Sequence, residues 1–203
     1  MKAKIRIARL LQYLLFFIPV KKNRIMFYAN NRKGYVCNPS VLMESFWLKH
    51  PGEYELIWVT RFPETCTMRT GITVVRQRSL SYFKLFLRCD IFITNDMIDE
   101  ALVKKRGQTF LTTWHGGGAY KKVGKETINE DETFAANFDK WYKRLDYFVS
   151  SCQACTDMYA EAFSLDRKIF LETGTPRNDI FFSKHPEIKK RVQDFYHISE
   201  QTK

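Results

Sequence analysis

Long apolar runs are missing from this 203-residue chain. The longest, near the N-terminus, falls far short of the ~20 residues that cross a bilayer as a helix. With 45% hydrophobic and 27% charged residues, both a disordered chain and a multi-span membrane protein are excluded. Acidic residues are few. Against 33 Lys and Arg stand 22 Asp and Glu, a formal net charge of +11, so the partner is anionic: nucleic acid, an anionic bilayer surface or a polyphosphate. A nucleic-acid binder would interleave aromatic and basic residues on one exposed surface. Here most aromatics fall on strands or helix faces, so no nucleic-acid partner is expected. The five cysteines (37, 66, 89, 152 and 155) are odd in number and irregularly spaced. Only Cys152 and Cys155 approach a paired motif, and no second pair or His cluster completes a zinc site. No metal is expected. A thioredoxin-like reading of that pair stands beside the favoured one, ordinary buried thiols on a helix in a reduced chain. Also absent are a Gly-x-Gly-x-x-Gly fingerprint and a P-loop: Gly116-Gly117-Gly118 is followed by no Lys-Ser or Lys-Thr. Internal repeats and low-complexity segments are lacking too, and no cofactor is expected.

What is present begins with a basic, apolar N-terminus. Placed at 3.6 residues per turn, Ile7, Leu10, Leu11, Leu14, Leu15, Phe17 and Ile18 share one broad face. Arg6, Arg9, Gln12 and Tyr13 take the other, while Ile5 and Phe16 break the pattern. A signal peptide would need a small-residue cleavage site, which Pro19-Val-Lys-Lys-Asn-Arg24 does not offer. Residues 1–20 therefore read as an amphipathic helix lying on an anionic membrane, with Lys21, Lys22 and Arg24 adding attraction. The alternative is a helix that packs on its own domain.

Beyond it, strands and helices alternate. Arg24–Ala29, Glu55–Thr60, Ile72–Val75, Asp90–Thr94, Gln108–Thr113, Tyr147–Val149 and Lys168–Glu172 read as strands. Asn38-Pro39 is a cap before proline, opening a helix over Ser40–Lys49. Ser79 or Ser81 opens a helix to Arg88, and Ser150-Ser151 caps one carrying Met158, Tyr159, Ala162 and Phe163. Thr133–Arg144 is a further helix, and the charged tail from Lys184 starts another. Such alternation predicts an α/β fold with a parallel sheet covered on both faces.

The segment Thr112-Thr-Trp-His-Gly-Gly-Gly118 concentrates chemistry. A short buried strand ends in a histidine among glycines, with Lys121 and Lys122 behind it. Strand ends are where open α/β sheets bind ligands. An imidazole there can accept a proton, and lysines can meet phosphate. His115 is the one histidine of four set in a motif. Trp114 reads as the wall that orients the imidazole. Gly116 to Gly118 let backbone amides approach a phosphate or hydroxyl. Lys121 and Lys122 are either phosphate partners or solvated helix-start lysines, with the histidine favouring phosphate for at least one. Arg177, suited to bidentate phosphate contact, alternatively pairs with Asp179. Asn178 is kept among the substrate contacts, although with Asp179 it reads first as a cap of the helix Ile180–Phe182. Asn30, Asn31 and Arg32 also stand at a strand end.

These motifs have an order. Asn38-Pro39, Asp90-Ile-Phe-Ile-Thr-Asn95, Trp114-His-Gly116, Lys121-Lys-Val-Gly124, Tyr147-Phe-Val-Ser-Ser-Cys152 and Gly174-Thr-Pro-Arg-Asn-Asp179 together resemble the CDP-glycerol glycerophosphotransferase family of teichoic acid synthesis. The resemblance runs from about Arg24 onward. It implies the Rossmann-like N-terminal domain of a GT-B-type two-domain transferase at the cytoplasmic face of the cell membrane. Its acceptor is a lipid-linked polyol phosphate, and His115 has the role of general base. It assigns residues 21–180 to an acceptor-side domain and 181–203 to the start of a C-terminal domain. The family continues for roughly as many residues again, and that part would bind CDP-glycerol. The chain alone is therefore expected not to turn over CDP-glycerol; as the alternative, it is a non-catalytic module binding membrane and acceptor. Glycerol and ribitol remain equally open.

Overall fold

A computed structural model describes residues 2–29, 34–118, 121–130, 138, 141–182 and 186–199. Seven strands form one all-parallel sheet: β1 (Arg24–Tyr28), β2 (Glu55–Thr60), β3 (Thr73–Arg76), β4 (Ile91–Thr94), β5 (Thr109–Thr112), β6 (Tyr147–Ser150) and β7 (Phe170–Glu172). Their order is β3-β2-β1-β4-β5-β6-β7. The chain thus winds outward in one direction from β1 and in the other from β4. The gap between those two is the point where an open sheet leaves a crevice beyond the strand ends. Asn30, Asn31 and Arg32 lie outside the described residues, as does most of the helix expected over 133–144.

Side chains alternate across the pleat, and both faces are buried. On β1, Ile25 and Phe27 join Leu56, Trp58 and Met43 in one core layer. Met26 and Tyr28 join Ile57, Val59, Tyr82 and Phe86 in the other. A third cluster unites Phe138, Tyr142, Phe148, Tyr159, Phe163 and Phe170 under the far end of the sheet. Burying each such large side chain contributes roughly 1.5–3 kcal/mol. Continuous apolar strands were the expectation for a sheet covered on both sides, and β1 is buried at all five positions.

Helix starts differ from those expected. Ser79 does cap α3 (Leu80–Leu87), accepting the Tyr82 N–H at 3.1 Å. α2, however, spans Cys37–Lys49 and starts at Val36 without a side-chain cap. Asn38 lies inside its first turn because its amide is engaged elsewhere, as shown below. α4 (Gln153–Phe163) starts at Cys152, again without a side-chain cap. Ser150 is instead the last residue of β6, its hydroxyl 2.7 Å from that of Thr156. Cys152 is exposed rather than buried, because it precedes the helix's first turn. Lys168 does not open β7: Asp166 accepts its N–H at 3.0 Å and holds Arg167–Ile169 in a 3-10 turn. Asn178 and Asp179 lie within a second 3-10 segment, Pro176–Phe182, rather than capping a helix at Ile180. The tail forms α5 (Pro186–Tyr196).

The N-terminal helix, α1 (Lys2–Leu14), meets the domain through its polar face. Gln12 is 2% exposed. Its Nε2 donates to Ala101 O at 2.7 Å and its Oε1 accepts the Val103 N–H at 3.1 Å. Much of its apolar side is left uncovered: Leu14 is 64% exposed, and Phe17, just beyond the helix, 80%. Gln12→Ala would strand a buried donor and a buried acceptor, each worth roughly 1–3 kcal/mol. Hydrogen exchange should then show α1 exchanging much faster than the sheet, with the sheet protected as before. Unchanged protection of α1 would mean another contact holds it.

Candidate functional site

The site is built where loops from four separate parts of the chain meet at the carboxyl ends of the strands. β5 ends at Thr112, and the backbone turns sharply at Trp114, whose φ of 49° is rare for a bulky residue. Several bonds hold that turn, among them one from the Thr113 hydroxyl to Trp114 O at 3.1 Å. Thr113 N donates to Thr94 O at 2.8 Å. Trp114 N donates to the Thr112 hydroxyl at 3.2 Å. The Asn38 amide donates to Trp114 O at 3.0 Å. Asn38 is 1% exposed, and its remaining oxygen accepts the Arg177 N–H at 3.2 Å. One side chain therefore ties the start of α2, the turn after β5 and the turn after β7 together. Arg177 completes the ring: its Nη2 donates to His115 O at 2.8 Å and its Nη1 to Cys37 Sγ at 3.3 Å.

His115 is fixed from the β4 side. Its Nδ1 lies 2.8 Å from Asn95 O. A carbonyl oxygen only accepts, so Nδ1 carries the hydrogen and the neutral ring keeps its lone pair on Nε2. That is the tautomer a proton acceptor needs, set by a backbone oxygen in the role a carboxylate plays in a triad. Trp114 lies against the imidazole, ring centres 4.3 Å apart and planes at 32°, and its own ring packs on Phe163 at 5.0 Å. It is the wall the sequence suggests.

A cleft of about 200 Å³ opens beside this histidine, lined by Asp96, His115, Lys121, Lys122, Thr127 and Tyr142 among others. Both lysines are exposed. Two glycines shape the walls. A Cβ on Gly116 would come within 3.0 Å of the Trp114 indole nitrogen, and Tyr159 Oη donates to the Gly116 carbonyl at 3.1 Å. Gly124, with φ of 62°, passes so close to α4 that a Cβ would sit 2.2 Å from Ala162 O. Gly117 faces open space. Burial pushes the Asp96 carboxyl above its ordinary range, opposed by a Met97 N–H bond and by His115. Burial, with Asp96 nearby, likewise raises the Tyr142 phenol.

The expected residues fall into two groups. Trp114, His115, Lys121 and Lys122 line one cleft, and Gly116 packs behind it. Arg177 and Asn178 are not among the lining residues: Arg177 braces the His115 backbone, and Asn178 donates its N–H to Thr175 O at 2.8 Å within its own turn. Sequence reasoning overlooked Asp96 as a site residue, although a carboxyl directly after an apolar strand was a readable signal. It also took Asn38 for a helix cap. No local pattern announces a side chain whose three partners lie 75 to 139 residues away.

Residues 10–203 match the family described as CDP-Glycerol:Poly(glycerophosphate) glycerophosphotransferase. The chain is 32% identical over 165 residues to a teichoic acid glycerol-phosphate transferase of Staphylococcus aureus, covering 78% of this chain and 42% of that protein. It is 26% identical over 170 residues to a teichoic acid poly(glycerol phosphate) polymerase of Staphylococcus epidermidis, covering 81% of this chain and 23% of that protein. A structure of the wall teichoic acid polymerase TagF, a histidine-to-asparagine variant soaked with CDPG, superposes with a TM-score of 0.83 at 23% identity. That match covers 97% of this chain and 50% of the other, and at such identity the likeness is one of fold. The chain thus spans between about a quarter and a half of the length of these relatives.

Two substitutions test the architecture of the site. Asn38→Ala leaves the Arg177 N–H without its acceptor and the Trp114 carbonyl with the Thr113 hydroxyl alone, at 3.1 Å, and should cost about 1–3 kcal/mol in denaturant unfolding; no measurable loss would show that water replaces the amide. Asp96→Asn should do the opposite at neutral pH. Its folded pKa is raised, so ionisation is penalised in the folded state above that value, and the penalty vanishes once both states are protonated. The Asn variant should therefore be more stable than the parent near pH 7. The gap should close as pH falls through the carboxylate range toward ~3.9. A constant gap across that range would remove the ionisation argument.

Proposed function

The chain belongs to the CDP-glycerol:poly(glycerophosphate) glycerophosphotransferase family, and from that membership we propose that it forms the acceptor-side domain of a GT-B-type teichoic acid transferase. The reaction moves glycerol phosphate from CDP-glycerol to a polyol-phosphate chain. The acceptor hydroxyl attacks the β-phosphorus, a new P–O bond forms, and the bond to CMP breaks. The hydroxyl must lose its proton as it attacks, and a positioned base is worth ~10²–10⁴-fold.

The observation that carries this reading is the His115–Asn95 contact. It leaves Nε2 with the lone pair in a cleft that also holds two lysines. In the proposed roles, Nε2 takes the acceptor's proton and becomes an imidazolium. Lys121 and Lys122 neutralise phosphates of the acceptor, and Gly117 leaves room for backbone amides to approach them. Arg177 positions the histidine by holding its carbonyl. CDP-glycerol would be held by the part of the relatives that lies beyond the matched length.

We also propose attachment to the cytoplasmic face of the membrane through residues 1–20. No helix among the described residues is long and apolar enough to cross a bilayer. Support comes from α1, which turns its polar face to the domain and its leucines outward. A non-catalytic module that binds membrane and acceptor draws on the same observation.

Activity separates the two. Joined to the remaining length of the Staphylococcus aureus relative, the chain should transfer radiolabelled glycerol phosphate from CDP-glycerol to a glycerol-phosphate oligomer. His115→Ala should lower that rate by about 10²-fold or more. His115→Asn keeps a polar side chain but cannot accept the proton, and should be nearly as poor. Substantial turnover by the Asn variant would reduce His115 to a turn residue.

A further inference from the structure

A groove of about 330 Å³ runs between α1 and α3, lined chiefly by Ile7, Ala8, Leu11, Leu80, Phe83 and Leu87. Its formation follows from the Gln12 clamp. Because a polar side chain makes the anchoring contact, the apolar residues beside it are not drawn into the core and flank an open channel. α3 faces the same channel. Its first residue, Leu80, is 80% exposed although it stands in a well-capped helix. Each helix also supplies one cation to the rim: Lys4 from α1 and Lys84 from α3. Both are exposed, and neither makes an ion pair among the described residues. A second cavity, of about 230 Å³, shares residues with the groove and is lined by Lys4, Ala8, Phe83 and Arg78 among others. Arg78 is already committed there, its Nη2 lying 2.7 Å from the Asp99 carboxylate, which leaves the lysines to meet an incoming anion.

An apolar channel with uncompensated positive charge at its mouth fits a molecule with a hydrocarbon tail and an anionic head. We propose that this groove binds one anionic glycerophospholipid, with an acyl chain between α1 and α3 and the phosphate headgroup against Lys4 and Lys84. The proposal rests on the membrane reading of α1 and sharpens it. Adsorption needs only an outward apolar face, whereas this site takes a single lipid out of its layer and holds it in one-to-one ratio. The lipid would then brace α1 against α3, two elements otherwise joined across open space.

A lipid too short to form bilayers isolates the site. Dihexanoyl phosphatidylglycerol, kept below its critical micelle concentration, should bind the full chain saturably and one-to-one in calorimetry. Dihexanoyl phosphatidylcholine, without net charge, should bind about tenfold more weakly or worse, as expected when two lysines face the head. Ala8→Phe fills the channel from a helical position and should weaken the phosphatidylglycerol complex at least about tenfold, since the buried chain loses its place. Leu80→Glu, at an exposed site that cannot disturb folding, should do the same by repelling the head. Failure of the parent protein to saturate, or undiminished binding by both variants, would overturn the site. So would a concentration-dependent dimer that Ala8→Phe disrupts, which would give the groove to a second copy. Sedimentation with vesicles of phosphatidylglycerol and phosphatidylcholine in equal parts keeps the two ideas apart. Vesicle binding without soluble-lipid binding overturns the groove and leaves membrane attachment standing. Soluble-lipid binding without vesicle binding supports the groove and defeats attachment.

Discussion

The carboxamide of Asn38 is the contact on which the site depends. It is almost fully buried, and it bonds to the turn after β5 and the turn after β7 at once. Without it the Trp114 carbonyl would keep only the Thr113 hydroxyl as a donor, while its residue sits in a left-handed conformation that a bulky side chain disfavours. A strained turn persists only where its surroundings over-determine it. Here Thr94, Thr112, Thr113 and Asn38 all contribute hydrogen bonds to that end. What the strain secures is direction: the residue after Trp114 is delivered to the Asn95 carbonyl, which fixes the imidazole.

Parallel topology makes that convergence possible. All seven strands run the same way, so every strand ends on one edge and every following loop gathers there. Asn95 after β4, His115 after β5 and Arg177 after β7 are distant in sequence, yet neighbouring strands bring them within hydrogen-bond reach. An antiparallel sheet would send alternate loops to the opposite edge. The gathering occurs near the paired strands β1 and β4, between which the winding direction reverses.

This explains what the sequence could disclose. The strands were legible because a sheet buried on both faces demands continuous apolar runs, and Glu55–Thr60 was read with its observed bounds. Trp114, His115 and the lysines were legible because they follow one another closely, and one loop places them in one cleft. Helix starts were harder. Asn38 and Ser150 are good capping residues by type, but each is drawn away by a partner that local sequence does not reveal. The same holds for Lys168, where Asp166 offers a competing local bond. Asp96 shows the remaining difficulty: its importance lies in being buried beside a histidine, and burial is a property of the assembled loops.

The loop from Asn95 to Gln108 runs between the candidate site and α1. It contains no helix or strand, so its backbone groups need partners from side chains. Arg144 donates to Ile98 O at 3.0 Å and to Leu102 O at 2.8 Å. Asp99 is gripped by Arg78. Gln12 of α1 takes Ala101 O and Val103 N, and Gln108 accepts the Lys105 N–H at 3.0 Å. The first residue of this loop holds the His115 imidazole, and its middle holds the helix with the outward leucines. Arg144, half-buried and held below its usual basicity mainly by that burial, bonds the span between them through its carbonyls. Its charge makes the span costly to bury and, once its carbonyl partners are in place, costly to rearrange.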